Sequence, residues 1–104
     1  MIYHKNLLVV KILFENTLKK PIFGVYRPSA YMEQAKGFFT SIRMDIFKKE
    51  IEPGEDIVMN AIIESPVGFG EHLKEGALLF IRNGLDEEGR ALILEILGYA
   101  DENN

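Results

Sequence analysis

Cysteine and tryptophan are both missing from these 104 residues, proline occurs only four times, and no apolar run is long enough to cross a bilayer as a helix. Each absence removes a class of protein. Without cysteine there is neither a disulfide framework nor a thiolate metal site, which fits a reducing compartment, so a cytoplasmic location is the expectation. The apolar patch in "MIYHKNLLVVKILF" is broken by Lys11 and ends at Glu15 without a small-residue cleavage site, so neither a signal peptide nor membrane insertion is expected. A basic surplus is lacking too. Twelve Lys and Arg against sixteen Asp and Glu leave a formal net charge of −4 and an isoelectric point near 5.2, whereas phosphate neutralisation needs clustered cations.

Catalytic patterns are equally scarce. His4 and His72 are the only histidines and stand far apart without a fixed ligand spacing, so both read as solvated side chains and no metal site is expected. Ser29, Ser41 and Ser65 lack a Gly-x-Ser-x-Gly setting, which leaves nucleophilic catalysis without support. No phosphate-binding Gly-x-x-x-x-Gly-Lys-Ser/Thr run occurs either. We therefore expect no catalytic residue, no cofactor and no enzyme activity.

What is present is a period of two. In "FFTSIRMDIF" the positions Phe38, Thr40, Ile42, Met44 and Ile46 share one face, and Ser41, Arg43 and Asp45 share the other. "DIVMNAIIE" repeats the device with Ile57, Met59, Ala61 and Ile63, and the Pro53-Gly54 turn between them proposes an antiparallel pair. "LLVVKILF" and "ALLFIR" add two more strands, the first with Lys11 facing water. "EEGRALILEILGYA" is ambiguous: its Ala, Leu and Glu favour a helix, but alternation of Leu92, Leu94 and Ile96 against Glu95 favours a strand. Apolar content of 47% supports a folded core. The expectation is one all-β domain over residues 1–100, a small barrel or sandwich, with a frayed tail at 101–104.

The order of four motifs adds a resemblance. Val25-Tyr26-Arg27-Pro28, then Pro53-Gly54-Glu55-Asp56, then Pro66, then Ile81-Arg82-Asn83-Gly84 resembles the C-terminal β-barrel, the third domain, of translation elongation factor Tu and related translation GTPases. The likeness runs from about Leu7 to Leu97 and implies a six-stranded antiparallel, Greek-key-like barrel living without its GTPase domain. It also implies partner surfaces. In that family the barrel meets the GTPase domain, the exchange factor and the T arm of aminoacyl-tRNA, and a tRNA-facing Arg-Glu-Gly-Gly-Arg hairpin corresponds to Arg82, Asn83, Gly84, Gly89 and Arg90 here. Leu78 stands where the family carries an arginine. Asp86, Glu87 and Glu88 are added to the hairpin, Glu87 and Glu88 at an expected loop tip, and added acid opposes phosphate contact.

These readings name candidates, each with a plain structural counterpart. Tyr26 and Tyr31 can anchor a protein partner or plug the barrel, and Arg27 can pair with a partner or brace the barrel against its own acid. Phe69, on the glycine-rich "SPVGFGEHLKEG" loop, can dock into a partner or fold back over the barrel mouth. Arg82, Gly84 and Arg90 would serve RNA. The expected function is a non-catalytic interaction module that binds a protein partner or itself, with tRNA binding as the alternative.

Overall fold

In the computed structural model residues 7–100 are described, and they form β1 (Leu7–Asn16), β2 (Ile22–Tyr26), β3 (Ser29–Tyr31), β4 (Thr40–Ile51), β5 (Asp56–Glu64), β6 (Leu78–Asn83) and β7 (Asp86–Tyr99). The tail at 101–104 and His4 lie outside the described residues. All pairings are antiparallel. The strands β4-β3-β6-β7-β1-β5 form a ring that closes where β5 meets β4, and β2 is a seventh strand laid on β4. The expected closed six-stranded antiparallel barrel is therefore present. Among the described residues no helix is long and apolar enough to cross a membrane.

Alternation explains the core. Leu8, Val10, Ile12 and Phe14 of β1, Ile42, Met44 and Ile46 of β4, Ala61 and Ile63 of β5, and Leu79 and Ile81 of β6 all turn inward and are buried. Every second residue stays nearer water, as the pleat dictates. Each large buried side chain contributes roughly 1.5–3 kcal/mol by leaving water. On the outer side of β1, Lys11 faces Glu95 of β7 across 3.8 Å, the water-facing position expected for it.

The inward stripe of β1 ends in the buried polar residue Asn16. Its Nδ2 donates to the carbonyls of Lys20 and Ile51 at 3.0 and 2.8 Å, and its Oδ1 accepts from the Leu18 amide at 2.8 Å. Its backbone exchanges hydrogen bonds with the turn at Gly54 and Glu55. One residue thus ties the end of β1 to the loop before β2 and the end of β4 through its side chain, and to the β4–β5 turn through its backbone. That turn is type II: the Glu55 amide donates to the Glu52 carbonyl, Pro53 sits second, and Gly54 takes φ +81° third.

Two details correct the sequence reading. In β7 the barrel-facing residues are Ala91, Ile93 and, beyond a bulge, Ile96, so of the expected Leu92, Leu94 and Ile96 set only Ile96 turns to the core, and Leu94 stays exposed. The ladder with β1 slips twice, pairing Ile12 with Ile93, Lys11 with Glu95, Val10 with Ile96 and Val9 with Gly98. Leu94 and Leu97 are the unpaired extra residues, and each bulge reverses the alternation, which returns Ile96 to the core side. Likewise, Ile57 of β5 is exposed rather than inward. Between β4 and β5 only Ile42–Ile63 and Arg43–Ile62 pair, and below them the strands part around a cleft of about 530 Å³ lined by residues that include Phe47, Ile57 and Val58.

β2 and β3 are one ladder in two pieces. Gly24–Ile46, Val25–Asp45, Tyr26–Met44, Ser29–Ser41 and Ala30–Thr40 keep a single register along β4. Arg27 and Pro28 interrupt it because proline has no amide to donate. The Pro28 carbonyl still accepts from the Ile42 amide.

Candidate functional site

The interruption aims Arg27 across the closing seam. Its Nε and Nη2 donate to the Glu64 carboxylate at 3.1 and 2.8 Å, and the Thr40 hydroxyl donates to the Glu64 carbonyl. Both contacts clasp β5 to the β3–β4 side, so Arg27 is engaged in bracing the barrel. Tyr26 is engaged as well. Its ring packs edge-on against Phe14 with centroids 6.1 Å apart, and its hydroxyl donates to Glu88 Oε1 at 2.6 Å.

Burial, followed by the Glu88 carboxylate, pushes the Tyr26 hydroxyl well above the ordinary tyrosine value of 10.0. Below about pH 10 the hydroxyl keeps its proton in folded and unfolded chains alike, and the bond contributes in full. At higher pH the unfolded chain releases a proton that the folded chain retains, so stability falls. Tyr26→Phe is expected to cost about 1 kcal/mol at neutral pH and to flatten this alkaline decline. Thermal unfolding from about pH 8 to about pH 11 measures it; an unchanged alkaline slope in the variant would contradict the assignment.

The acids beside Tyr26 also differ from expectation. Asp86, Glu87 and Glu88 are not a loop tip but the first residues of β7, because the hairpin closes on two residues, Gly84 and Leu85, between paired Asn83 and Asp86. Gly84 takes φ +66° at the first turn position, as a primed turn of type II′ requires. Glu88 is an extra residue between the Arg82–Glu87 and Ile81–Gly89 pairs, and this bulge directs its carboxylate to Tyr26.

Phe69, offered as a partner contact, folds back instead. It is 1% exposed and meets Phe38 edge to face with centroids 4.9 Å apart. The Pro66–His72 turn places it there, over the core, where burying a ring is worth more than leaving it in water. No partner can reach it in this arrangement.

The three hairpin candidates separate. Arg90 pairs with Glu87 at 3.3 Å and lines a different hollow from Arg82, beside Leu13, Glu15 and Asp56. Arg82 and Gly84 meet Tyr31 instead. The guanidinium carbon of Arg82 lies 4.3 Å from the centre of the Tyr31 ring, and Tyr31 leans on Phe80 with centroids 5.4 Å apart. Register explains the meeting, since Ser29 is opposite Arg82 and Tyr31 opposite Phe80, all on the outer face.

These residues open a groove of about 370 Å³ lined by Tyr31, Phe38, Phe39, Arg82 and Leu85, with Ser29, Gly37 and Gly84 filling its edges. Phe39 and Leu85 were not among the expected site residues. They are 66% and 92% exposed, large for apolar side chains that touch one another's groove. Both carry a faint sequence signal. Phe39 is the apolar residue out of phase in "FFTSIR", and Leu85 occupies a hairpin tip where polar residues are usual. The titratable lining groups are Arg82 and Tyr31. The arrangement can hold a ligand and orient a negative charge; it offers no acid–base pair. No family model and no curated protein matches this chain.

Proposed function

We propose that this barrel is a non-catalytic interaction module of the cytoplasm, which binds a protein partner, or a second copy of itself, through the Tyr31–Arg82 groove. The observation that carries the reading is the exposed pair Phe39 and Leu85 beside an arginine–tyrosine stack in one open groove. Aromatic and arginine anchors within an apolar patch are the usual energetic centre of protein interfaces. The motif order similar to the elongation factor Tu barrel supports the same reading, because the barrel of that family meets other domains and factors through its outer surface.

tRNA is the less favoured ligand. Arg90 is occupied by Glu87, and Asp86, Glu87 and Glu88 surround the hairpin with negative charge.

Photocrosslinking tests the module. A benzophenone side chain placed at residue 39 or 85 of the full chain is expected to trap a defined protein adduct in cell lysate, or a homodimer at high protein concentration. The same group at exposed Lys74 should trap neither, and Leu85→Glu should abolish the adduct formed from position 39. Equal labelling from all three positions, or none, would remove the groove as the interface.

A further inference from the structure

We propose that the groove is a carboxylate-recognition site: Arg82 receives a single acidic group from an extended partner peptide whose neighbouring aromatic or aliphatic side chains lie on Phe39 and Leu85. The proposal rests on the module reading and specifies what that module recognises.

Charge accounting singles out Arg82. The chain has four arginines. Arg27 pairs with Glu64, Arg43 with Asp45 and Arg90 with Glu87, while Arg82 has no carboxylate partner among the described residues. Its Nε is moreover buried and without a hydrogen-bond partner. That nitrogen is closed to solvent, so what Arg82 offers in the groove it lines is its terminal nitrogens.

The geometry selects the anion. Packing over the Tyr31 ring restrains the guanidinium, and a planar fork held in place suits the two oxygens of a carboxylate, which engage its two terminal nitrogens together. Of the nearby acids, Glu87 is held by Arg90 and Glu88 by Tyr26, and Asp86 forms no ion pair with Arg82 among the described residues. They do repel a polyanion, and with a net charge of −4 the chain disfavours a ligand charged along its length. Phe39, Phe38 and Leu85 supply walls that only an apolar neighbour of the acid can cover. An acidic residue flanked by aromatic or aliphatic residues meets all three conditions; a nucleic-acid backbone meets only the first.

The test compares two blocked tripeptides, acetyl-Phe-Asp-Phe-amide and its isostere acetyl-Phe-Asn-Phe-amide, against the ¹⁵N-labelled full chain by NMR. The Asp peptide is expected to shift the Arg82 Nε–H resonance and the backbone amides of Phe39 and Leu85, with the Asn peptide at least about tenfold weaker. Arg82→Gln should reduce the Asp peptide to the Asn level, Arg82→Lys should retain part of the preference, and Arg90→Gln should leave it unchanged. Equal affinity for the two peptides, no shift at Arg82, or displacement of the Asp peptide by tRNA at lower concentration would each overturn the proposal. The failures are separable. If both peptides shift Phe39 and Leu85 equally, the groove still receives peptide and only the carboxylate assignment falls. If the Asp peptide discriminates while crosslinking from residues 39 and 85 traps no protein, the carboxylate site stands and the interaction-module reading falls.

Discussion

Asn16→Leu is expected to lower the unfolding free energy by about 3 kcal/mol, since one buried and two half-buried backbone partners lose their hydrogen bonds at once. The affected groups are the carbonyls of Lys20 and Ile51 and the amide of Leu18. Leucine has a similar volume, so the loss arises from unsatisfied polar groups rather than from a cavity. For a domain of this size such a change lowers Tm by more than about 10 °C. Asp at this position retains the acceptor for Leu18 but turns a charged oxygen toward two carbonyls, so Asn16→Asp should be no better at neutral pH. Urea unfolding with an unchanged m-value is the appropriate measurement. A loss below about 1 kcal/mol for Asn16→Leu would show that the end of β1, the loop before β2 and the end of β4 are held together by other contacts.

The second large effect concerns Phe69, and it reaches the groove. Phe69→Ala is expected to cost about 3–5 kcal/mol through lost burial and the cavity left above the core. Phe69→Leu should cost about 1 kcal/mol because most of the volume remains. Phe38 is packed edge-on by Phe69 and lines the groove on its other side. The alanine variant is therefore expected to weaken binding of the Asp tripeptide several-fold at temperatures where it remains folded, while the leucine variant binds as the parent does. Calorimetric unfolding and the NMR titration, run on both variants, separate the two effects. Full affinity in the folded alanine variant would show that the groove does not depend on this packing.

Much of the barrel is written in local alternation, which reports burial on one side of a strand. Ile42, Met44 and Ile46 obey it because one face of β4 meets the core without interruption over that span. β7 disobeys because its phase is set by β1, with two extra residues absorbed as bulges, and a bulge leaves no periodic mark in composition. β5 fails at Ile57 for a different reason: the strand leaves its neighbour β4 there, and no property of "DIVMNAIIE" records where a sheet opens. The β2–β3 ladder was legible as motif, not as geometry. Pro28 signals an interruption, yet the continuity of register on either side depends on β4.

The groove was half legible. Tyr31, Arg82 and Gly84 were singled out on separate grounds, as aromatic anchor and hairpin residues, and register brings them together across the β3–β6 pair. Arg27 and Tyr26 looked equally suited to a surface, but Glu64 and Glu88, distant in sequence, claim them. A polar side chain's availability depends on who else is near it, and that is tertiary information. Phe69 carried both readings from the start because a glycine-rich loop can present or bury its aromatic; the space beside Phe38 decides between them.

The placement of β1 has a consequence for biosynthesis. This apolar strand lies between β5 and β7, with Leu7 opposite Glu64 and Leu8 opposite Tyr99. As the chain leaves the ribosome at roughly 5–20 residues per second, "LLVVKILF" therefore emerges seconds before either strand that will cover it. The β2–β4 ribbon and the turn at Pro53-Gly54 can form during that interval, since their partners are nearer in sequence. The barrel cannot. Its first described strand waits for its last, which makes β1 the segment of the nascent chain most in need of a chaperone's protection.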